Sequence, residues 1–335
     1  MGEKWSSSKE RELQIMHGIR VALLQMGSAT KENLCDRAGI SFPTVSKMVS
    51  RMEKSGEVYA AGLDESSGGR RAQRYVYNPE YMLGLSVFLE KNETVYTVFN
   101  CLGEVKEQGS YKSFLQDGKD ALMAWTEEVL ERFPKISGAA FGVPGSVEKG
   151  QIFFIPDYEE FQNLDLQGIF EERFRIPAVV ENDMNAAVLG YHDRSGKGID
   201  HSAAYIYTGE NGPGAGLLVN GNVVRGSTFF AGEVSFVPLY DECSFLQAMQ
   251  QEKDRKGIVN LKAISRLIAS LAAIINPHEI ILNHKEFHVS QIPVLIKEST
   301  KYVPKEHLPE LALSDWREDY LHGLQYLALK RILRS

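Results

Sequence analysis

The run from Ser41 to Gly56, SFPTVSKMVSRMEKSG, restricts the fold more than any other stretch. Val45, Met48, Val49 and Met52 stand at i, i+3, i+4 and i+7, which places them in one apolar stripe along an α-helix. Ser41 is the expected N-cap, its hydroxyl satisfying an orphan amide of the first turn. Pro43 falls in that turn, where a missing N–H costs nothing. Gly56 is placed to close the helix as the C′ residue. The opposite face carries Thr44, Ser46, Lys47, Ser50 and Arg51, short hydroxyls and cations. Alone, this is an amphipathic surface helix. The same face also suits a major groove, with hydroxyls near base edges and cations on phosphates.

The flanking sequence favours the groove. Lys9 to Met26 has helical periodicity, with Leu13, Ile15, Met16, Ile19, Val21, Leu23 and Leu24 forming a broad apolar face that Gly27-Ser28 ends. Thr30 can cap a second, short helix, KENLCDRAG, which stops at Gly39. Helix, short helix, tight turn and helix make the three-helix core of a helix-turn-helix. Glu57 to Gly62 and Arg74 to Tyr77 then read as two strands. Between them Gly68-Gly69 permits a hairpin tip, and Arg70, Arg71 and Arg74 follow directly. A ribbon with a basic glycine tip is a wing, able to place arginines in a minor groove. A solvated hairpin with stray cations is the plainer alternative.

Charge separates the same two regions. Residues 1–78 hold 12 Lys+Arg against 9 Asp+Glu, or +3, and the remainder holds 25 against 35, or −10, matching the net charge of −7. A small cationic unit is joined to a large acidic one, which fits local DNA contact beside a separate task. The three cysteines, Cys35, Cys101 and Cys243, are scattered and give neither a disulfide framework nor a C-x-x-C zinc signature. A reduced, cytoplasmic setting is expected. No apolar run approaches the roughly 20 residues of a membrane span, and a chance-level myristoylation pattern at Gly2 and Ser6 carries no weight.

After Asn78 the pattern changes. Leu83–Leu89 and Thr94–Asn100 read as strands, Asp117 to Phe133 as an amphipathic helix and Ile136 to Val143 as a buried strand. A helix ends near Arg175, Ala178–Val180 is strand-like, and Met184 to Tyr191 is helical. Strands return in AAYIYTG and AGLLVNG, followed by helices from Leu261 and a strand at Glu279–Leu282. Alternation over about 250 residues indicates a layered α/β architecture of two similar halves.

Three stretches resemble the ROK family, which contains bacterial repressors and sugar kinases: GVPGSVEKG at Gly142 to Gly150, IPAVVENDMNAAVLG at Ile176 to Gly190, and TGENGPGAGLLVNGNVVRGSTFFAGEV at Thr208 to Val234. GGRR at Gly68–Arg71 resembles the wing of the repressor branch. The resemblance implies an actin-like, two-lobed sugar-kinase fold behind an N-terminal winged helix-turn-helix. It also frames the choice between repressor and enzyme. Kinase members carry Asp-Gly-Gly-Thr in their first strand. Here Ser86-Val87-Phe88-Leu89-Glu90 stands instead, with bulky side chains and a carboxylate where phosphate would approach. The second phosphate loop gains Glu210, and the family's late Gly-Gly pair is replaced near Asn283-His284. On the sugar side the resemblance assigns Asn182 and Asp183 to sugar hydroxyls, with Asp183 as the base in kinases. It makes Glu233 a further contact. The expected His is Phe236, and only Cys243 stands where a zinc loop should be. Asn182 and Asp183 could equally survive as a helix cap.

Other motifs fail. Gly212-Pro-Gly214-Ala-Gly216 is not a dinucleotide fingerprint, and His284…His288 is not H-E-x-x-H. The expectation is a DNA-binding unit over residues 1–78 and a ROK-like effector and oligomerisation domain over 79–335. Together they make a repressor of carbohydrate-related genes without cofactor, metal or catalytic residue. Its expected partners are a double-stranded DNA operator, a sugar or sugar-phosphate effector and further copies of itself as a homodimer or homotetramer. Leu321, Leu324, Leu327 and Ile332 are a candidate interface, although such a stripe can equally be core. A ROK-type sugar kinase and a degenerate protein-interaction domain are the alternatives.

Overall fold

The computed structural model describes residues 8–64, 71–209, 212–256 and 260–334. Its first part runs α1 (Ser8–Met26), β1 (Ala29–Thr30), α2 (Lys31–Ala38), α3 (Phe42–Lys54), β2 (Val58–Leu63) and β3 (Gln73–Tyr77). The apolar stripe of α3 is buried as its spacing requires, with Val45, Val49 and Met52 wholly covered among Ile19, Leu23 and Leu34. Thr30 and Asn33 form a reciprocal capping box on α2, and Gly39 ends it in the left-handed conformation. Gly56, at φ 78°, closes α3. The Glu57 N–H donates to the Met52 carbonyl and the Gly56 N–H to the Glu53 carbonyl, the two bonds of a Schellman motif.

One expectation fails here. Ser41 occupies the N-cap position, but its hydroxyl makes no capping bond and pairs with the Thr44 hydroxyl at 2.9 Å. The two hydroxyls, three residues apart, satisfy each other instead. The hairpin of β2 and β3 is antiparallel, with Val58 opposite Tyr77, and β1 pairs on the other edge of β3.

The rest forms two lobes of matching topology. In the first, β4 (Leu83–Leu89), β5 (Glu93–Asn100), β6 (Val105–Lys112), β7 (Ile136–Val143) and, later, β11 (Ala178–Asn182) make a sheet in the order β11-β7-β4-β5-β6. Strands β4 to β6 are antiparallel, while β7 and β11 run parallel to β4. The helix expected from Asp117 to Phe133 is broken at Gly118, at φ 91°, into α4 (Phe114–Asp117) and α5 (Lys119–Arg132). A small ribbon of β8 (Ser146–Glu148), β9 (Gln151–Phe154) and β10 (Leu164–Asp165) precedes α6 (Leu166–Phe174).

In the second lobe, α7 (Asp183–Ser195) leads to β12 (Ala203–Tyr207), β13 (Gly214–Val219) and β14 (Asn222–Val223). After β15 (Pro238–Tyr240), β16 (Cys243–Ser244), α8 (Phe245–Lys256) and α9 (Leu261–Ile275) come β17 (Glu279–Asn283), α10 (Ile292–Ser299), β18 (Glu310–Ser314) and α11 (Trp316–Ile332). This sheet is ordered β14-β13-β12-β17-β18, again three antiparallel strands followed by two parallel ones.

Helices α7 and α11 lie side by side between the two sheets. They approach closely because Gly190 and Gly323 have no side chain. A Cβ on Gly190 would overlap the Asp319 carbonyl oxygen, and one on Gly323 the Ala186 carbonyl oxygen. The C-terminal stripe is mostly internal, with Leu324 buried in the interlobe cluster, Leu321 and Leu327 packed at its edge, and Ile332 buried against the winged unit. That stripe is core, because α11 is sandwiched and has no outward apolar face of its own.

The winged unit is fastened to this core. Ile332, Met82 and Cys101 share its apolar cluster. Arg20 on α1 is buried, donates from Nε to Glu57 at 2.5 Å and reaches the Leu333 carbonyl at 3.2 Å. His17 Nδ1 lies 3.0 Å from that same carbonyl, so the C-terminal end of α11 is held by two side chains of α1.

Candidate functional site

The outer face of α3 is less free than its composition suggests. Lys31 donates to Ser46 at 3.1 Å, and Arg51 is paired with Glu12 on α1. Thr44 is engaged by Ser41. Lys47 is exposed and makes no ion pair among the described residues, and Pro43 is exposed while Ser50 is half-buried. Arg74 does not project from the wing. It donates to the Ser28 hydroxyl and carbonyl at 3.0 and 2.6 Å and pairs with Asp64 at 3.0 Å, tying β3 to the turn after α1. Arg71 is exposed, whereas Gly68, Gly69 and Arg70 lie outside the described residues. One exposed aromatic side chain stands at the start of the same helix: Phe42, the first residue of α3, is 54% exposed.

The second candidate is a cleft of about 280 Å³ between the lobes, at the N-terminus of α7. Asn182, Asp183 and Glu233 converge there, together with Ser146 and Arg225. Asn182 does cap α7, accepting the Asn185 N–H at 3.0 Å, but its amide also donates to the Gly145 carbonyl at 3.0 Å and to Asp183 at 2.8 Å. Capping and cleft lining are the same side chain's two ends. Burial pushes the Asp183 carboxyl up to about 7 against the lowering effect of the Met184 N–H, and the Glu233 charge adds to the rise. Burial likewise raises Glu233, which accepts a 3.2 Å hydrogen bond from Ser146. Two carboxyls with elevated proton affinity thus share one cleft, which makes it the candidate ligand site.

Arg225 and Ser146 lie inside stretches noted for their resemblance, yet spacing gave neither a role. Arg225 pairs with buried Glu181, which also accepts from Asn185 at 3.0 Å. The guanidinium is thereby neutralised beside the cleft. Gly216, within β13, serves packing: a Cβ there would overlap the Met184 carbonyl oxygen, so glycine lets α7 settle on the second sheet.

The nucleotide side keeps a second cleft of about 240 Å³, lined by Glu90, Glu93, Asp315, Trp316 and Arg317 among others. Trp316 stacks on Tyr207 with ring centroids 4.0 Å apart and planes 4° from parallel. The Glu286 carboxylate accepts both the backbone N–H and the hydroxyl of Thr208 at 3.0 Å, taking up donors at the start of the second loop. Glu210 and Asn211 of that loop lie outside the described residues. Arg317 makes a bidentate bridge to Glu93 at 2.6 and 3.1 Å. Although burial works against it, hydrogen bonds from His284 and Lys285 hold Asp315 down to about 2. Ser86 is fully buried under this region. Glu90, Glu93 and Asp315 bring three carboxylates to this cleft, like charge to that of a nucleoside triphosphate. The residues near Cys243 do not fit a zinc ion: its thiol donates to the Ser244 carbonyl, Phe236 projects into solvent, and no group of three or more His, Cys, Asp or Glu among the described residues is arranged to hold a metal.

Comparison with known proteins gives four findings. The model of the ROK family matches residues 95–247. A xylose repressor of Bacillus spizizenii is 26% identical over 225 residues, 65% of this chain and 58% of that protein, so the chain spans little more than half of this curated relative's length. A solved ROK family transcriptional regulator, described as a homolog of E. coli MLC protein, superposes with a TM-score of 0.75 at 16% identity over 97% of this chain and 98% of its own. The ROK hexokinase of Thermus thermophilus superposes with a TM-score of 0.60 at 17% identity, covering 74% of this chain and 99% of its own.

Proposed function

The chain belongs to the ROK family, and from that premise we propose that it is a transcriptional regulator, a repressor of carbohydrate-related genes, that binds DNA through α3 and the wing and has no kinase activity. The observation that carries this reading is the pairing of two features in one chain. A winged helix-turn-helix core presents Phe42, Pro43 and Lys47 to solvent, while the cleft on the nucleotide side of the ROK fold is lined by the carboxylates Glu90, Glu93 and Asp315 and has its Thr208 donors engaged by Glu286. In a regulator without a phosphoryl donor, Asp183 serves as a hydrogen-bond partner and takes no proton from a sugar hydroxyl.

The cleft suits one unphosphorylated sugar ring. Asp183 and Glu233 accept hydroxyl donors, whereas Arg225 is already neutralised by Glu181 and leaves no free cation for a phosphate. The name of the Bacillus relative makes a pentose the first ligand to try. A ligand at the start of α7 acts on a helix locked to α11, whose end is held by His17 and Arg20 of α1. Binding that favours one arrangement of that pair would shift the winged unit with it. Operator recognition by a single winged helix covers one half-site, so a homodimer or larger assembly is the working unit.

The test has two arms. The purified full chain is used to select duplexes from a random library, and the enriched duplex is titrated with and without D-xylose and other free sugars. A coupled assay with ATP, magnesium and the same sugars runs alongside. Sequence-selective binding that a free sugar alters, with no turnover, supports the reading. Turnover that disappears in Asp183→Asn overturns the non-enzymatic assignment, and failure to enrich any duplex overturns the DNA-binding one.

A further inference from the structure

Phe42 lies three residues before Val45, so helical periodicity places it with the apolar stripe of α3. The structure leaves it 54% exposed and outside the cluster that buries Val45, Met48, Val49 and Met52. The reason is local. Ile40, two residues earlier and before the helix begins, packs against that cluster and closes this end of the core. The first turn of α3 therefore carries Phe42 and Pro43 as exposed residues. Ser41 and Thr44 satisfy each other's hydroxyls at 2.9 Å, which leaves the most prominent side chain of the turn an apolar ring.

A recognition helix meets base edges with its N-terminal residues. In the major groove the only apolar mark is the C5-methyl group of thymine. We infer that Phe42 is a specificity-determining residue that selects thymine by covering this methyl group. The inference rests on the DNA-binding reading above and adds to it the base that this position prefers. It also accounts for the location of the exposed ring: on the first turn of α3, with Lys47 five residues further along, exposed and without an ion pair among the described residues, a cation of the kind that meets backbone phosphates.

The experiment uses the full chain and the duplex it enriches from a random library. Each thymine of that duplex is replaced singly by deoxyuridine, which removes the methyl group and leaves the base-pairing edge unchanged. Affinities are measured for the wild type, Phe42→Ala and Phe42→Ser. Since Phe42 is exposed, both variants should keep the wild-type unfolding temperature. In the wild type, replacing one thymine in each half-site should weaken binding about four-fold, the value of one buried methyl-sized group. The same replacement should cost both variants nothing, while all other replacements cost the three proteins alike. If a variant binds too weakly at moderate salt, the series is read at lower salt, where phosphate contacts restore affinity without restoring base preference. Equal uracil penalties in wild type and variants at every position overturn the inference and leave the DNA-binding reading standing. No enriched duplex for the wild type overturns both.

Discussion

Replacing Asp183 by Asn should stabilise the protein at neutral and alkaline pH while removing its cleft function. In the folded chain the Asp183 carboxyl is pushed up to about 7, whereas a free aspartate titrates near 3.8. Below pH 4 the group is protonated in both states and contributes no difference. Between about pH 4 and 7 the unfolded chain releases this proton and the folded chain retains it, so stability is lost as pH rises through the folded value. The full loss, reached above pH 7, is about three units at 1.36 kcal/mol each, or about 4 kcal/mol. An asparagine escapes it. Its Oδ1 can still accept the Met184 N–H and the Asn182 amide, both 2.8 Å from the carboxylate oxygen they now share. The difference between Asp183→Asn and wild type should thus be near zero at pH 4 and grow to a few kcal/mol by pH 8. Spread over a chain of this size, that is a rise of roughly 5 °C in unfolding temperature. Thermal unfolding of both proteins at half-unit steps from pH 4 to 8 measures it. A variant destabilised equally at every pH would refute the reasoning, because Asp183 would then be a structural cap and not a desolvated carboxyl kept for a ligand.

Three further outcomes follow from other contacts. Glu57→Ala strands the buried Arg20 guanidinium and should cost about 3–5 kcal/mol, most of it recovered in the double variant Arg20→Met with Glu57→Leu; hydrogen exchange of the α1 and α3 amides reads both. Gly190→Ala forces α7 away from the Asp319 carbonyl and should destabilise by more than about 3 kcal/mol, measured by urea unfolding, whereas Gly198→Ala, where nothing lies within 4 Å, should stay within about 0.5 kcal/mol. Arg71→Ala and Lys47→Ala should each lower the slope of log affinity against log salt by about one, without changing which duplex is enriched; Arg74→Ala should instead lower the unfolding temperature, since its bonds go to Ser28 and Asp64.

The sequence by itself determined the elements whose signals are local. The stripe of α3, its closure at Gly56, the Thr30 cap of α2 and the strands on either side of the lobes follow from period and from residues that fix φ or satisfy a terminal amide. Motif spacing also carried Asn182, Asp183 and Glu233 to one cleft, because the ROK fold sets where those segments meet. Tertiary structure decided which polar groups remain free. Ser46, Arg51 and Arg74 look alike in sequence to Lys47 and Arg71, yet Lys31, Glu12 and the Ser28–Asp64 pair engage them. The partners of Arg225 and Arg20 are 44 and 37 residues away, and Arg20 also reaches a carbonyl 313 residues on. Phe42 has the period of a core residue and the environment of a surface one, because Ile40 closes the core first. Periodicity reports the direction in which a side chain leaves its own helix. What stands there to meet it depends on chain segments brought in from elsewhere, and that is settled only by packing.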